Sequence, residues 1–320
     1  MLVPAFFLIL ACALWGLSFP VIKAIQFEQA TRMDDAGSAF LAAWLQVARF
    51  LVAGLLLLPF VLRMPKVSSA ELRQGILLGF WGGLGMVLQA WGLTRTDAST
   101  SAFLTQAYCV ILPLIACLKF RRTPAGRTLL ATLLVVAGGA ILAGLKPDQL
   151  KLGPGETATL LAAFAFTFQI LTLDHPRFAT NRGRPVTLVM CLAIAVIFLP
   201  VVWFTAPTPG AIITAGASWP AATMVVALAV FCSIGAFLLM NTWQRRVSAT
   251  EAGLIYTTEP VFAAAYAIFL PAPLAAMAGI EYGNETITLQ MLTGGGLIVI
   301  ANVLMQWKAR PHKPAVAPAP

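Results

Sequence analysis

Ten apolar runs, each about the length of a bilayer crossing, follow one another along this chain with short polar loops between them. They fall at 4–23, 40–62, 74–94, 98–118, 127–145, 155–173, 186–204, 221–243, 249–270 and 289–307. A helix needs about 20 mostly apolar residues to cross a bilayer. Inside lipid every backbone N–H and C=O must be satisfied within the protein, which leaves helices as the element that fits runs of this length. The expected fold is an all-α integral membrane protein of ten transmembrane helices. Composition agrees: 59% of the 320 residues are hydrophobic and 10% are charged, against about a quarter charged in a soluble domain.

The basic residues alternate between the two sides. Arg63, Lys66, Arg73, Lys119, Arg121, Arg122, Arg127, Arg177, Arg182, Arg184, Arg245, Arg246, Lys308, Arg310 and Lys313 flank even-numbered runs on one side. Lys23, Arg32, Arg95, Lys146 and Lys151 lie on the other. Cytoplasmic loops carry the excess of Lys and Arg, so both termini are predicted cytoplasmic. The net charge of +9 is thereby a topology signal and not a nucleic-acid surface. The N-terminal run lacks a basic leader and reads as the first crossing. The tail 309–320 is rich in Pro and Ala and predicted disordered.

Two sets of five crossings enter from opposite sides, so two related halves, 1–150 and 151–308, would be inverted repeats. Both halves hold a helix that starts on small residues and meets a proline, "STSAFLTQAYCVILP" and "ATEAGLIYTTEP". Inverted repeats place the substrate site of secondary transporters at the midplane.

Charges at membrane depth are few. Glu259 lies about ten residues into the ninth run, directly before Pro260, and Arg49 about nine into the second. An ionised carboxylate at this depth costs about 2.5–3.5 kcal/mol, so it needs an interior partner or a proton. Glu259 is either a proton-coupling or substrate-ammonium site, or a structural residue that locks the ninth helix to a neighbour. Arg49 keeps its charge and either pairs with Glu259 or receives a substrate carboxylate. Pro260 frees a carbonyl in the preceding turn, which predicts a kinked helix with a local polar site. Trp15, Gln89, Gln106, Tyr108, Gln169, Asn241 and Tyr256 complete the candidate lining of a central cavity, with interhelical hydrogen bonding as the alternative use of each amide. Trp44, Trp219 and Trp307 sit near run ends and are expected at the membrane interface.

Other chemistries find little footing. The five cysteines lie in apolar runs without CxxC spacing and read as inert buried thiols. No GxxxxGK[ST] motif occurs, so the glycine clusters are read as helix-packing positions. No HExxH occurs, and His175 and His312 fall in cytoplasmic segments. No catalytic residue, metal ligand or cofactor is expected.

"ALWGLSFPVIK" (13–23), "QVARFLVAG" (46–54), "GGAILAG" (138–144) and "YTTEPVFAAAYAIFL" (256–270) together resemble a bacterial EamA-type member of the drug/metabolite transporter superfamily, over about 4–307. The resemblance implies two inverted five-helix halves and export of a small metabolite across the bacterial inner membrane by alternating access. A small-molecule substrate and the lipid bilayer are the implied partners, and protons as coupling ion are the expectation that Glu259 itself raises. Two features depart from the family. Lys119-Phe120-Arg121-Arg122 stands where many members have Gly-Glu, and "PAPLAAMAGIEYGN" is inserted before Glu285. A lipid flippase, a non-transporting sensor and a membrane-embedded enzyme are the alternatives.

Overall fold

All ten apolar runs fall on helix in the computed structural model, which describes residues 2–33, 35–93, 95–96, 98–120, 125–145 and 152–307. No strand occurs among the described residues. The helices are α1 (Leu2–Ala30), α2 (Ser38–Leu62), α3 (Ser69–Leu93), α4 (Ala98–Thr105), α5 (Tyr108–Phe120), α6 (Gly126–Leu142), α7 (Pro154–Leu173), α8 (Gly183–Thr205) and the short α9 (Ala211–Thr214). They continue with α10 (Trp219–Ala227), a π-helical stretch Leu228–Gly235, α11 (Ala236–Trp243), α12 (Ala249–Tyr256), α13 (Glu259–Ala267), α14 (Pro271–Ala278) and α15 (Leu289–Gln306).

Seven helices among the described residues are long and apolar enough to cross a membrane. The other three runs are altered. The fourth is split into α4 and α5 at Gln106–Ala107, and the fifth shortens to the 17-residue α6. The ninth is interrupted at Thr257–Thr258 and bends by 61° between α13 and α14. The predicted kink at Pro260 is a two-residue turn within one span, Ala249–Ala267, and the sharp bend comes later, before Pro271. α12 ends, two residues make a turn, and α13 restarts with Pro260 in its first turn, where a missing N–H costs nothing. The insert is also helical: α14 starts at Pro271 and closes on Gly279 at φ 65°, a left-handed cap that glycine adopts without a Cβ clash. Asn284 Oδ1 accepts from the N–H of Ala272 at 2.9 Å and so ties the end of the insert back to the start of α14.

Lipid tails give helices no hydrophobic reason to associate, so close backbone approach carries the packing. A Cβ on Gly138 would lie 2.7 Å from the Gly294 carbonyl oxygen, so α6 and α15 touch backbone to backbone. α1 meets α13 in the same way, since a Cβ on Gly16 would lie 2.8 Å from the Ala263 nitrogen. Trp44 corrects an expectation. It is 8% exposed, and its indole N–H donates to the Ile212 carbonyl at 2.8 Å, so it packs inside the fold. Trp219 and Trp307 are exposed, at 67% and 65%.

Glu71 and Arg182 tie the α2–α3 and α7–α8 connections together. The guanidinium spans both carboxylate oxygens at 2.6 and 2.7 Å and also donates to the carbonyls of Pro65 and Lys66 at 3.0 Å. Glu71 is 2% exposed and also accepts the backbone N–H groups of Ser68 and Arg182 at 2.8 and 3.0 Å. Arg182→Ala removes the guanidinium's bonds to the carboxylate and to the two loop carbonyls, and is expected to lower the melting midpoint in detergent. An unchanged midpoint would show that the bridge contributes nothing. The predicted division at 150/151 and the tail 309–320 lie outside the described residues.

Candidate functional site

The break in the ninth run builds the site. Thr257 and Thr258 turn their hydroxyls back on the end of α12, donating to the Leu254 and Ile255 oxygens at 2.6 and 2.7 Å, carbonyls that also accept the Thr257 and Thr258 N–H groups. The Cys12 thiol of α1 donates to the same Ile255 oxygen at 3.6 Å. The carbonyl that Pro260 leaves without its helical N–H is that of Tyr256, three residues before the Glu259 carboxylate. Glu259 opens α13, where the positive end of the helix dipole faces it. It is half-buried. Among the described residues no side chain forms an ion pair or hydrogen bond with its carboxylate.

Arg49 is 5% exposed on α2. Its Nε donates to Ser233 Oγ at 2.8 Å and one Nη to the Cys232 carbonyl at 3.4 Å, both in the π-helical stretch. Its guanidinium carbon lies 5.0 Å from the Phe50 ring centre. The expected Arg49–Glu259 pair is not made. The charges lie within electrostatic range of each other without contact. Equal depth along two helices does not fix which way each side chain turns, and the Ser233 hydroxyl offers Arg49 a nearer acceptor.

Trp15 and Tyr256 do come together. Their ring centres are 5.5 Å apart and edge to face, and Phe237 takes the other side of Trp15 at 5.3 Å. Phe50 follows at 5.9 Å from Phe237, so an aromatic row leads from Tyr256 to Arg49. Tyr108, at the start of α5, is buried within electrostatic reach of Glu259. The Trp15 indole N–H is buried without a hydrogen-bond acceptor, and the Gln106 side-chain oxygen is buried without a donor. Buried polar atoms in native proteins are almost always satisfied, so these two are available to a ligand or water.

Three predicted residues are used for packing instead. Gln169 donates to the Leu78 carbonyl at 3.3 Å across α7 and α3. Asn241 donates to Thr187 Oγ1 at 2.8 Å across α11 and α8. Gln89 donates to Thr105 Oγ1 at 3.0 Å between α3 and α4. Phe50, Phe237, Ser233 and the Thr257–Thr258 pair were missed. Two threonines directly before Glu-Pro were the one local signal for the last of these. An open apolar groove of about 690 Å³, lined by Val87, Trp91, Pro154 and Leu161 among others, runs between α3 and α7 and holds none of these residues.

Comparison with known proteins agrees with this picture. Residues 2–144 match the model of the EamA-like transporter family, which bears out the resemblance over the first half of the chain. An uncharacterised transporter of Archaeoglobus fulgidus is 26% identical over 264 residues, covering 82% of this chain and 76% of that protein. A solved crystal structure, 18% identical, superposes with a TM-score of 0.66 over 95% of this chain and 96% of its own. That likeness speaks for the fold. The chain is thus a multi-pass membrane protein with the helices and the relatives of a transporter.

Proposed function

We propose that this EamA-like chain is a secondary active transporter that exports a small polar or amphipathic metabolite across the bacterial inner membrane by alternating access, with both termini cytoplasmic. The carrying observation is the Glu259 carboxylate: half-buried, at a helix break in a membrane-spanning segment, and without an ionic or hydrogen-bonding partner among the described residues. A group that expensive to place there and left uncommitted serves a ligand or a proton. Arg49 supplies the opposite charge, and Trp15 and Tyr256 an aromatic wall.

An inverted repeat of two five-segment halves is part of the reading, and the helix pairings support it. α3 packs on α7 and α8, while the helix from α10 to α11 packs on α1 and α2. α4 and α5 pack on α7, while α12 and α13 pack on α1. α2 with α8, and α6 with α15, are the pairs such a symmetry maps onto themselves. Metabolite profiling of overexpressing and deletion strains, followed by transport of the candidates in proteoliposomes, tests the proposal. A metabolite that accumulates in the deletion strain and is moved by the purified chain is the expected result. A purified, folded chain that moves none of the compounds so identified would overturn it.

A further inference from the structure

The two halves of the ninth segment are buried very differently. α12 has six buried residues out of eight: Ala249, Ala252, Gly253, Leu254, Ile255 and Tyr256. α13 has none in nine. Eight of these nine are partly exposed and Ala265 is exposed, although α1 touches the backbone of α13 at Gly16, so the segment is packed more loosely around α13 than around α12. Glu259 stands at the junction. On the α12 side the way is shut. The Tyr256 hydroxyl donates to Gln244 Oε1 at 2.7 Å, and Gln244 Nε2 donates to the Ile170 carbonyl of α7 at 2.7 Å. Both side chains are buried, with Gln244 at 0% exposure. Trp15 of α1 lies against the Tyr256 ring. This chain of contacts joins α1, α7, α11 and α12 just beyond Glu259.

From this the geometry points to a gate: the Tyr256–Gln244–Ile170 hydrogen bonds, with Trp15 over the Tyr256 ring, close the transport path on the side of the chain termini, and the structure is the state open to the opposite side. The assignment rests on the transporter reading and orientation above. Tyr256 and Gln244 are positioning residues that act on which state is populated. For substrate to pass, this contact must part while the looser packing around α13 tightens. Each state then exposes Glu259 to one side only.

Cys12 gives a native reporter. It is 0% exposed, sits on α1 one turn before Trp15, and its thiol rests on α12, so it becomes reachable only when the gate opens. The experiment uses the full chain in oriented proteoliposomes with the other four cysteines replaced by alanine. A membrane-impermeant maleimide is added to either side. Tyr256→Phe keeps the ring and loses one interhelical bond, so labelling from the side of the termini should rise about threefold, the equilibrium shift for ~0.6 kcal/mol. Gln244→Leu loses both bonds and should raise it about tenfold. Labelling unchanged in folded Tyr256→Phe, or raised equally from both sides, overturns the gate. Labelling that rises only from the side opposite the termini overturns the orientation while leaving the gate in place. Because labelling needs no substrate, its result stands whether or not a transported compound is found.

Discussion

Glu259→Gln is expected to lower proton-driven transport in proteoliposomes by about tenfold or more, with a residual rate that is flat from roughly pH 5 to 8. Gln has the shape of Glu and the same first acceptor atom, but it does not titrate. The substitution therefore separates charge from packing. Two readings of Glu259 differ in what else should change. If the carboxylate were the counter-charge that stabilises Arg49, neutralising it would strand a buried guanidinium and cost about 3–5 kcal/mol. Arg49 is instead held by Ser233 Oγ and the Cys232 carbonyl, so the melting midpoint should hardly move. The expected signature is a stable protein with a lost pH response. A folded variant that keeps the wild-type pH profile would remove Glu259 from the coupling step.

The second large effect lies away from the site. Gly294→Leu is expected to abolish the folded monomer in detergent, while Gly296→Leu, two residues on, leaves it intact. A Cβ at Gly294 would stand 2.6 Å from both the Gly138 oxygen and the Leu142 nitrogen, atoms of backbone that cannot rotate aside. At Gly296 it would meet nothing within 4 Å. Overpacking commonly costs 1–3 kcal/mol when neighbours are side chains. Here two helix backbones must separate, and α6 has only 17 residues along which to hold the contact. Size-exclusion profiles of the two variants decide the matter. Equal behaviour would mean that α6 and α15 do not depend on this approach.

Seven of the ten expected crossings were legible because a bilayer imposes a length on an apolar run, and Arg49 and Glu259 were legible because charge there is rare. Their mutual arrangement was not. Position along a helix gives depth, but rotation about the axis depends on neighbours such as Ser233, which reads as an ordinary small residue. The break at Thr257–Thr258 was half visible through Pro260, although the two hydroxyls that turn back on the end of α12 were not connected to it. The break at Gln106–Ala107 has no Gly or Pro to announce it, so the fourth run read as one helix. Trp44 misled because nearness to a run end is a weaker signal than the carbonyl of Ile212 waiting in a distant loop.

The π-helical stretch at 228–235 works as a phase setting for everything that follows it. A π-helix fits more residues into each turn than an α-helix does, so α11 emerges at an azimuth that an uninterrupted α-helix from Trp219 would not produce. Forcing all eight residues into α-geometry at unchanged length would turn α11 about the helix axis, since each residue would then take about 100° of the turn. Asn241 would swing away from Thr187 and Gln244 from Tyr256, although every side chain involved was still present. In this chain, the winding of eight residues sets whether the gate can meet its latch.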